Sequence, residues 1–270
     1  MKQKFTSEQN KRFWDNDAIE KKDNPIGTHS DPNLVELENN FIVQVLKSGK
    51  FGSVLDIGCG NGQRTIFFSK FTKKIKGIDY SLEMINQANH SLNKKNSSLK
   101  TKISFENADI HNFNTDTKYD AIISCRCFIN NTKYKNQVVL YQKLHSMLKK
   151  NGSLIIAEGS QEGYDRLNYF RNKFHLTPIK IPWYNLPISE KIVHTKIRKL
   201  FKIQKINRLG MYYFLTRVIY PTMIYPKSPN PKSHFNEISK KSEMLFQEQN
   251  TTVESIEKIG AHLLIHFRKI

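Results

Sequence analysis

The chain has 270 residues, enough for one large α/β domain or two small ones, and its 38% hydrophobic and 11% aromatic content excludes global disorder. The first residues are polar, and no uninterrupted apolar run reaches spanning length, so neither a secretory leader nor a membrane span is predicted. Three cysteines, Cys59, Cys125 and Cys127, exclude a disulfide framework and predict a cytoplasmic location.

The net charge of +19, from 43 Lys+Arg against 24 Asp+Glu, suggests an anionic partner. Nucleic acid, anionic lipid and a phosphorylated metabolite all fit that charge. The lysines are spread along the chain among many asparagines, so the charge alone does not choose between them. Because no second Cys/His cluster stands near Cys125 and Cys127 at zinc spacing, no metal is predicted.

Strands and helices are predicted to alternate along the middle of the chain. A helix precedes them, with Ser30 or Asp31 as its cap and Pro32 in its first turn. The alternation is typical of a parallel sheet with helices on both faces. The predicted strands are 53–57, 75–79, 102–109, 119–125 and 153–159, and the predicted helices are 62–71, 81–96, 134–149 and 161–174.

The last third of the chain breaks this rhythm. Prolines punctuate 176–189, a strand-like run follows at 201–209, and an apolar helix is predicted over 211–224. A loop at 225–233 then precedes a polar helix that extends to about 258. The final residues alternate, which predicts an edge strand with one solvated face. Leu263, Ile265 and Phe267 lie on one face of that strand, and His262, His266 and Arg268 lie mainly on the other.

The turn after the first predicted strand is rich in glycine. Gly58, Gly60 and Gly62 allow a tight turn and remove the side chains that would hold a ligand away from the backbone. A dinucleotide fingerprint would place its third glycine one residue later, where Gln63 stands. Asp56 precedes the turn, and a carboxylate there suits a cationic ligand better than a pyrophosphate.

Acidic residues also end the next two strands. Asp79 follows Gly62 by 17 residues, where a carboxylate can accept both hydroxyls of a ribose. Asp109, next to Ile110, can flank an adenine edge. Together with Asp56, these acids predict an adenosine ligand that carries positive charge instead of phosphates.

This constellation resembles the class I S-adenosylmethionine-dependent methyltransferases. The matching residues are D-I-G-C-G-N-G at 56–62, Asp79, and A-D-I at 108–110, and the resemblance covers about residues 50 to 160. It implies a Rossmann-like α/β fold, a seven-stranded mostly parallel sheet with helices on both faces, an antiparallel last strand and a helical insertion before it. It also implies S-adenosyl-L-methionine as cofactor, with S-adenosyl-L-homocysteine as product. The implied cofactor-binding residues are Asp56, Gly58, Cys59, Gly60, Asn61, Gly62, Asp79, Tyr80, Asp109, Ile110 and Cys125.

The chain is accordingly predicted to be one methyltransferase domain over 1–270. Residues 1–48 are predicted to form an N-terminal helical lid, and 49–175 the cofactor-binding core. Substrate-side insertions at 176–260 and the edge strand at 261–270 complete it.

A narrower resemblance covers about residues 120 to 190. R-x-F-I-N, E-G-S-x-x-G-x-x-x-L-N-x-x-R and P-W-x-N resemble a little-characterised bacterial subgroup linked to surface-glycan or small-metabolite pathways, in which we expect histidine in place of Tyr184. The planar guanidinium group of arginine can form two parallel hydrogen bonds with a carboxylate or a phosphate. The candidate substrate-binding residues are Arg126, Asn130, Asn168, Arg171, Trp183, Asn185, Tyr212 and Tyr213, with Arg166 as a further fork.

Two residues are candidates for catalysis. Glu158 is predicted to face the crevice as a base or hydroxyl orienter, and His29 lies in the predicted lid. The leading hypothesis is methyl transfer to an oxygen of a small anionic or glycan-related metabolite, as in surface polysaccharide biosynthesis, with N-methylation as a lesser form. The alternatives are an RNA methyltransferase, favoured by the charge, and a non-catalytic nucleoside-binding partner subunit. Either a monomer or a homodimer is compatible with the sequence.

Overall fold

A seven-stranded β-sheet forms the centre of the computed structural model, which describes residues 5–20, 30–248 and 254–270. The strands are β1 (Ser53–Ile57), β2 (Lys74–Asp79), β3 (Ile103–Asn107), β4 (Tyr119–Cys125), β5 (Leu148–Gly159), β6 (Phe201–Asn207) and β7 (His262–Lys269). They lie in the order β3-β2-β1-β4-β5-β7-β6. The first five strands pair in parallel, and β7 pairs antiparallel with both β5 and β6. This confirms the predicted fold class.

Helices cover both faces of the sheet. They are α1 (Ser7–Glu20), α2 (Pro32–Gly49), α3 (Gln63–Phe68), α4 (Leu82–Asn93), α5 (Ser97–Lys100), α6 (Tyr134–Met147), α7 (Gln161–Lys173), α8 (Glu190–Thr195), α9 (Gly210–Phe214), α10 (Tyr220–Ile224), α11 (His234–Glu248) and α12 (Glu254–Glu257). A π-helical turn, Leu215–Ile219, joins α9 to α10. Among the described residues, no helix is both long enough and apolar enough to cross a membrane.

Two apolar cores lie on opposite faces of the sheet. Val54 belongs to the core under α2, α3 and α7, whereas its neighbour Leu55 belongs to the core under α6 and α8. Successive side chains of a strand point to opposite faces, so a strand covered on both sides needs apolar residues at consecutive positions. The short apolar runs of the sequence therefore form the central strands.

Helix α2 begins at the predicted position. Asp31 accepts a hydrogen bond from the backbone N–H of Leu34 at 3.2 Å, and Pro32 occupies the first turn. The side chains of Ser81 and Ser160 cap α4 and α7 in the same way. Each cap satisfies a backbone donor that the helix itself cannot satisfy.

The last strand is not at the edge of the sheet, and that prediction is wrong. Strand β7 lies between β5 and β6, so β6, from the segment predicted as an insertion, forms the edge. The predicted solvated face is also largely covered. His262 is buried, and the His266 ring lies 2.9 Å from the hydroxyl of Ser153. Alternation reveals two different faces but does not reveal which elements cover them.

Helix α1 packs against α4 at the carboxyl ends of the strands. The hydroxyl of Ser81 donates to Asp15 at 2.5 Å, and the amide of Gln87 donates to the backbone oxygen of Ala18 at 2.6 Å. These bonds hold α1 beside the end of β2.

Candidate functional site

A cavity of about 600 Å³ opens where β1, β2 and β4 end. Residues that follow each of these strands line it, and α1 and the 181–187 segment complete its wall. Ligands of open α/β sheets bind in such a crevice, and the volume is that of an ordinary small-molecule site.

The glycine turn forms part of the cavity wall. Gly58, Gly60 and Gly62 have φ values of 64°, 54° and 73°, in the left-handed region that side chains disfavour. The three glycines differ in the space that a side chain would find around them. A Cβ on Gly58 would lie 2.9 Å from the Cβ of Cys127, whereas a Cβ on Gly60 would have its nearest neighbour, the sulfur of Met84, at 3.9 Å. Of the three, only Gly60 leaves open space for a ligand.

Gly62, also predicted to bind the cofactor, does not line the cavity. A Cβ there would lie 2.6 Å from the ring of Phe105 and 2.7 Å from the Cβ of Ala88. Gly62 is therefore required for packing between α3, α4 and β3.

Asp79 joins the end of β2 to the glycine turn. Its two carboxylate oxygens accept hydrogen bonds from the backbone N–H groups of Gly60 and Ser81, each at 2.9 Å. Burial raises the pKa of Asp79 to about 6, although these bonds act in the opposite direction. A buried carboxylate with spare acceptor capacity faces the cavity here.

Asp56 lies at the end of β1 and also lines the cavity. Its carboxylate accepts a hydrogen bond from the hydroxyl of Thr65 at 2.6 Å. Burial raises the pKa of Asp56 to about 6, and the Thr65 bond and the nearby Arg64 only partly oppose this. A cationic ligand placed beside Asp56 would stabilise its ionised form.

The third acidic residue follows β3. The carboxylate of Asp109 accepts a hydrogen bond from the backbone N–H of His111 at 2.9 Å, which fixes the turn that carries Ile110. The ring of His111 lies 2.8 Å from the side-chain oxygen of Asn131. The structure brings ten of the eleven predicted cofactor residues to the cavity: Asp56, Gly58, Cys59, Gly60, Asn61, Asp79, Tyr80, Asp109, Ile110 and Cys125.

Three of the predicted substrate-binding residues line the same cavity. Arg126 and Asn130 follow β4, and Asn185 lies in the 181–187 segment. The side-chain oxygen of Asn130 accepts a hydrogen bond from the indole of Trp14 at 3.0 Å. The side-chain oxygen of Asn185 is buried without a hydrogen-bond partner among the described residues. An acceptor that is left unpaired in this way fits a hydroxyl or amine of a bound ligand.

Two polar predictions are wrong because the side chains bind backbone instead. Asn168 forms two hydrogen bonds to the backbone of Ile179, at 3.1 and 2.8 Å, away from the cavity. Arg171 donates to the backbone oxygens of Thr177 and Arg217. Arg166 likewise lies outside the cavity, paired with Glu190 at 2.6 Å. These side chains hold the segments that follow α7.

Three predicted aromatic residues do not line the cavity either. Trp183 is 51% exposed and packs against Phe13 outside the cavity. Tyr212 is fully buried, and its hydroxyl donates to the carboxylate of Asp31 at 2.8 Å. Tyr213 is buried beside His262 and does not line the cavity.

Glu158 does not face the crevice, so its prediction as a base is wrong. The side chain is fully buried and does not line the cavity. Its carboxylate accepts hydrogen bonds from the hydroxyl of Ser124 and from the backbone N–H groups of Cys127, Phe128 and Ile129. Glu158 thus stabilises the turn that presents Arg126. The other catalytic candidate, His29, lies outside the described residues.

Sequence reasoning missed several residues of the cavity. Asn10 and Trp14 of α1, Arg64 of α3 and His262 of β7 all line it. Asn10 donates to the backbone oxygens of Asn130 and Tyr184, at 3.1 and 3.2 Å. Of these residues, only Arg64 could have been predicted from the local sequence, because it follows the glycine turn by two residues. The others reach the cavity through contacts between distant parts of the chain.

The fold and the site together match a known family. A family model described as "Methyltransferase domain" matches residues 48–206, more than half of the chain. The chain belongs to this methyltransferase-domain family. The match runs from the last residues of α2 to the next-to-last residue of β6, and it includes the glycine turn and all three acids.

Two curated relatives share part of this region. The chain is 31% identical over 126 residues to protein 235L of Invertebrate iridescent virus 6, which carries the name of a methyltransferase; the match covers 46% of this chain and 43% of the viral protein. It is 29% identical over 106 residues to the similarly named YqeM of Bacillus subtilis strain 168; this match covers 38% of this chain and 41% of YqeM. The chain therefore matches less than half the length of either relative.

A solved structure extends the likeness of fold to almost the whole chain. The N-methyltransferase NodS from Bradyrhizobium japonicum WM9, in complex with S-adenosyl-L-homocysteine, covers 96% of this chain and 98% of its own, with a TM-score of 0.59. The sequence identity is 13%, so the likeness is one of fold.

Proposed function

We propose that this chain transfers a methyl group from S-adenosylmethionine to a small acceptor held in the same cavity. One observation carries the proposal. The bare backbone of Gly60 and the buried carboxylates of Asp56 and Asp79 meet in one cavity at the ends of adjacent strands. Membership of the methyltransferase-domain family supports the same reaction.

The residues of the cavity fit this nucleoside. Each oxygen of Asp79 accepts one backbone hydrogen bond and retains capacity to accept a ribose hydroxyl. The open space above Gly60 lets a ligand approach the backbone closely. Asp56 offers a negative charge to a ligand that carries an ammonium and a sulfonium. Ile110 and Asp109 offer an apolar surface and an acceptor for the base.

The cofactor, when bound, supplies an already activated methyl group. The chain's own residues then have to place the acceptor in line with it and exclude water. Asn185 lines the cavity, and its unpaired side-chain oxygen provides an acceptor for orienting a hydroxyl. Helix α1 closes the wall of the cavity through the bond between Trp14 and Asn130.

The acceptor we propose is a small anionic or glycan-related metabolite that is methylated on oxygen. The unpaired side-chain oxygen of Asn185 supports an acceptor molecule that carries a hydroxyl group. The guanidinium group of Arg126, which lines the cavity, supports an acceptor molecule that is negatively charged. The cover formed by α1 and the 181–187 segment favours a molecule small enough to be enclosed.

Isothermal titration calorimetry with S-adenosylhomocysteine tests the cofactor assignment directly. We expect saturable binding of one equivalent per chain, and absence of binding would refute the proposal. Incubation with labelled S-adenosylmethionine and a metabolite extract, followed by mass spectrometry, should reveal a product heavier by one methylene unit. Label found in structured RNA would instead favour the RNA alternative, and binding without any product would favour the non-catalytic one.

A further inference from the structure

A charged cluster lies at the wall of the cavity, between α2, α3 and the turn after β4. Glu38 of α2 is fully buried, with a carboxylate oxygen 2.8 Å from Nη1 of Arg64 and 3.5 Å from Nη2 of Arg126. Burial alone would raise the pKa of Glu38, but the two arginines outweigh it and hold the pKa well below its ordinary value. Glu38 is therefore ionised and shared by two guanidinium groups.

The two arginines keep donors that the protein does not use. Nε and Nη2 of Arg64 and Nη1 of Arg126 are buried and have no hydrogen-bond partner among the described residues. Leaving a buried charged donor unsatisfied is costly. Both side chains line the cavity, which places these donors next to a ligand bound there. The other carboxylate near Arg64, Asp56, already accepts a hydrogen bond from Thr65.

A second layer supports Glu38 from the far end of the chain. Nε2 of His262 lies 2.9 Å from the other oxygen of Glu38, and Nδ1 of His262 lies 2.6 Å from the hydroxyl of Tyr213. The Tyr213 and His262 rings are stacked. Tyr213, which the sequence suggested as a pocket wall, thus acts on the cavity only through His262. Helices α2 and α9 and strand β7 therefore meet at Glu38.

We infer that Arg64 and Arg126 form a binding site for one anionic group of a ligand, a carboxylate or a phosphate. The inference rests on the proposed function and deepens it, since it names the pair of side chains that would bind the anionic group. Planar guanidinium groups form paired hydrogen bonds with such anions, and Glu38 fixes the two forks in place without consuming all their donors. Two sources supply this chemistry: the amino-acid carboxylate of the cofactor and an acidic group of the acceptor.

Arg64→Gln and Arg126→Gln test the site, with Arg268→Gln as matched control, because Arg268 is exposed on β7 and outside the cavity. Each protein is titrated with S-adenosylhomocysteine, with 5′-methylthioadenosine, which lacks the amino-acid carboxylate, and with malonate in the presence of saturating S-adenosylhomocysteine. Thermal melting confirms that the variants are folded. Arg126→Lys, which retains the charge beside Glu38 but loses the fork, replaces any variant that does not fold.

We expect at least one anion-bearing ligand to lose affinity about 10-fold or more, the size of a lost charge-assisted hydrogen bond. A loss confined to S-adenosylhomocysteine, with methylthioadenosine unchanged, assigns the site to the cofactor carboxylate. A loss confined to malonate assigns it to the acceptor. Equal affinities of variants and control in all titrations overturn the inference while leaving the proposed function intact. If the unmodified protein binds neither nucleoside, the proposed function fails, and titration of the protein alone with malonate and phosphate still decides the anion site.

Discussion

The carboxylate of Asp79 accepts a hydrogen bond from the backbone N–H of Gly60 at 2.9 Å. This bond links the end of β2 to the turn that follows β1, and the backbone N–H of Cys59 adds a second link by donating to Ile78 at 3.0 Å. The side chain proposed to bind the ribose therefore also shapes the turn that the rest of the nucleoside would touch. The glycine turn after β1 and the carboxylate at the end of β2, which are separate motifs in the sequence, therefore form one structural unit.

Replacing Asp79 by asparagine should weaken nucleoside binding about 10-fold or more. An amide presents one acceptor oxygen to two backbone donors, from Gly60 and Ser81, so one of them would face an NH2 group. Because the loss occurs at the ribose, adenosine and S-adenosylhomocysteine should weaken by the same factor in calorimetric titrations. Asp116→Asn, at an exposed position, serves as control. Unchanged affinity for both ligands would contradict the ribose assignment.

Replacing Asp56 by asparagine should stabilise the ligand-free protein at neutral pH. The side chain is 3% exposed, and burial raises its pKa to about 6 from an ordinary 3.8. Ionisation is then penalised in the folded state by about 3 kcal/mol, fully above pH 6 and progressively less towards pH 3.8. An amide avoids this cost while its oxygen can still accept the hydrogen bond from Thr65.

Urea unfolding at about pH 5 and about pH 7.5 measures the effect. The gain in the free energy of unfolding should be larger at the higher pH, and Asp116→Asn should show no such trend. A loss of stability at both pH values would show that the Asp56 charge contributes favourably to the fold.

Local patterns were enough to predict several residues that meet in one cavity. Gly58, Gly60, Asp56 and Asp79 belong to strand–turn units in which a few consecutive residues fix the backbone, and parallel strands bring their carboxyl ends to one edge. The spacing along the chain therefore determines which side chains meet. The same holds for the alternation of strands and helices, which follows from apolar periodicity.

Predictions failed where the outcome depended on long-range contacts. Arg171 and Tyr212 have the chemistry of ligand-binding residues, but the structure commits them to backbone and to Asp31. Nothing in the local sequence distinguishes a side chain that faces a cavity from one that satisfies a buried partner. Conversely, Glu38 and His262 come from opposite ends of the chain and meet only through the arrangement of α2 beside β7.

Burial raises the pKa of Glu158 to about 7, but four donors converge on this carboxylate, whereas Asp56 accepts one hydrogen bond. We therefore expect the lost hydrogen bonding to outweigh the relief of charge burial, so that replacing Glu158 by glutamine lowers the free energy of unfolding by about 1–3 kcal/mol. The side chain is fully buried, and Cys127, Phe128 and Ile129 donate backbone hydrogen bonds to it. An NH2 group would replace one acceptor oxygen and leave a buried N–H without a partner. Chemical denaturation measures the loss against Glu106→Gln, an exposed position on β3. Equal stability of the two variants would show that the turn does not depend on this carboxylate.

Replacing Trp14 by phenylalanine should speed release of the nucleoside. The indole N–H of Trp14 donates to Asn130 at 3.0 Å, which ties α1 to the turn after β4 and closes the cavity wall. Phenylalanine retains an aromatic ring against Tyr184 but has no N–H donor. Because one neutral hydrogen bond contributes about 0.5–1.5 kcal/mol, the dissociation rate of S-adenosylhomocysteine should rise about 2- to 10-fold in stopped-flow measurements. Trp183→Phe is the matched control, since Trp183 is half exposed and outside the cavity. If both variants release the ligand at the same rate as the unmodified protein, α1 does not govern its release.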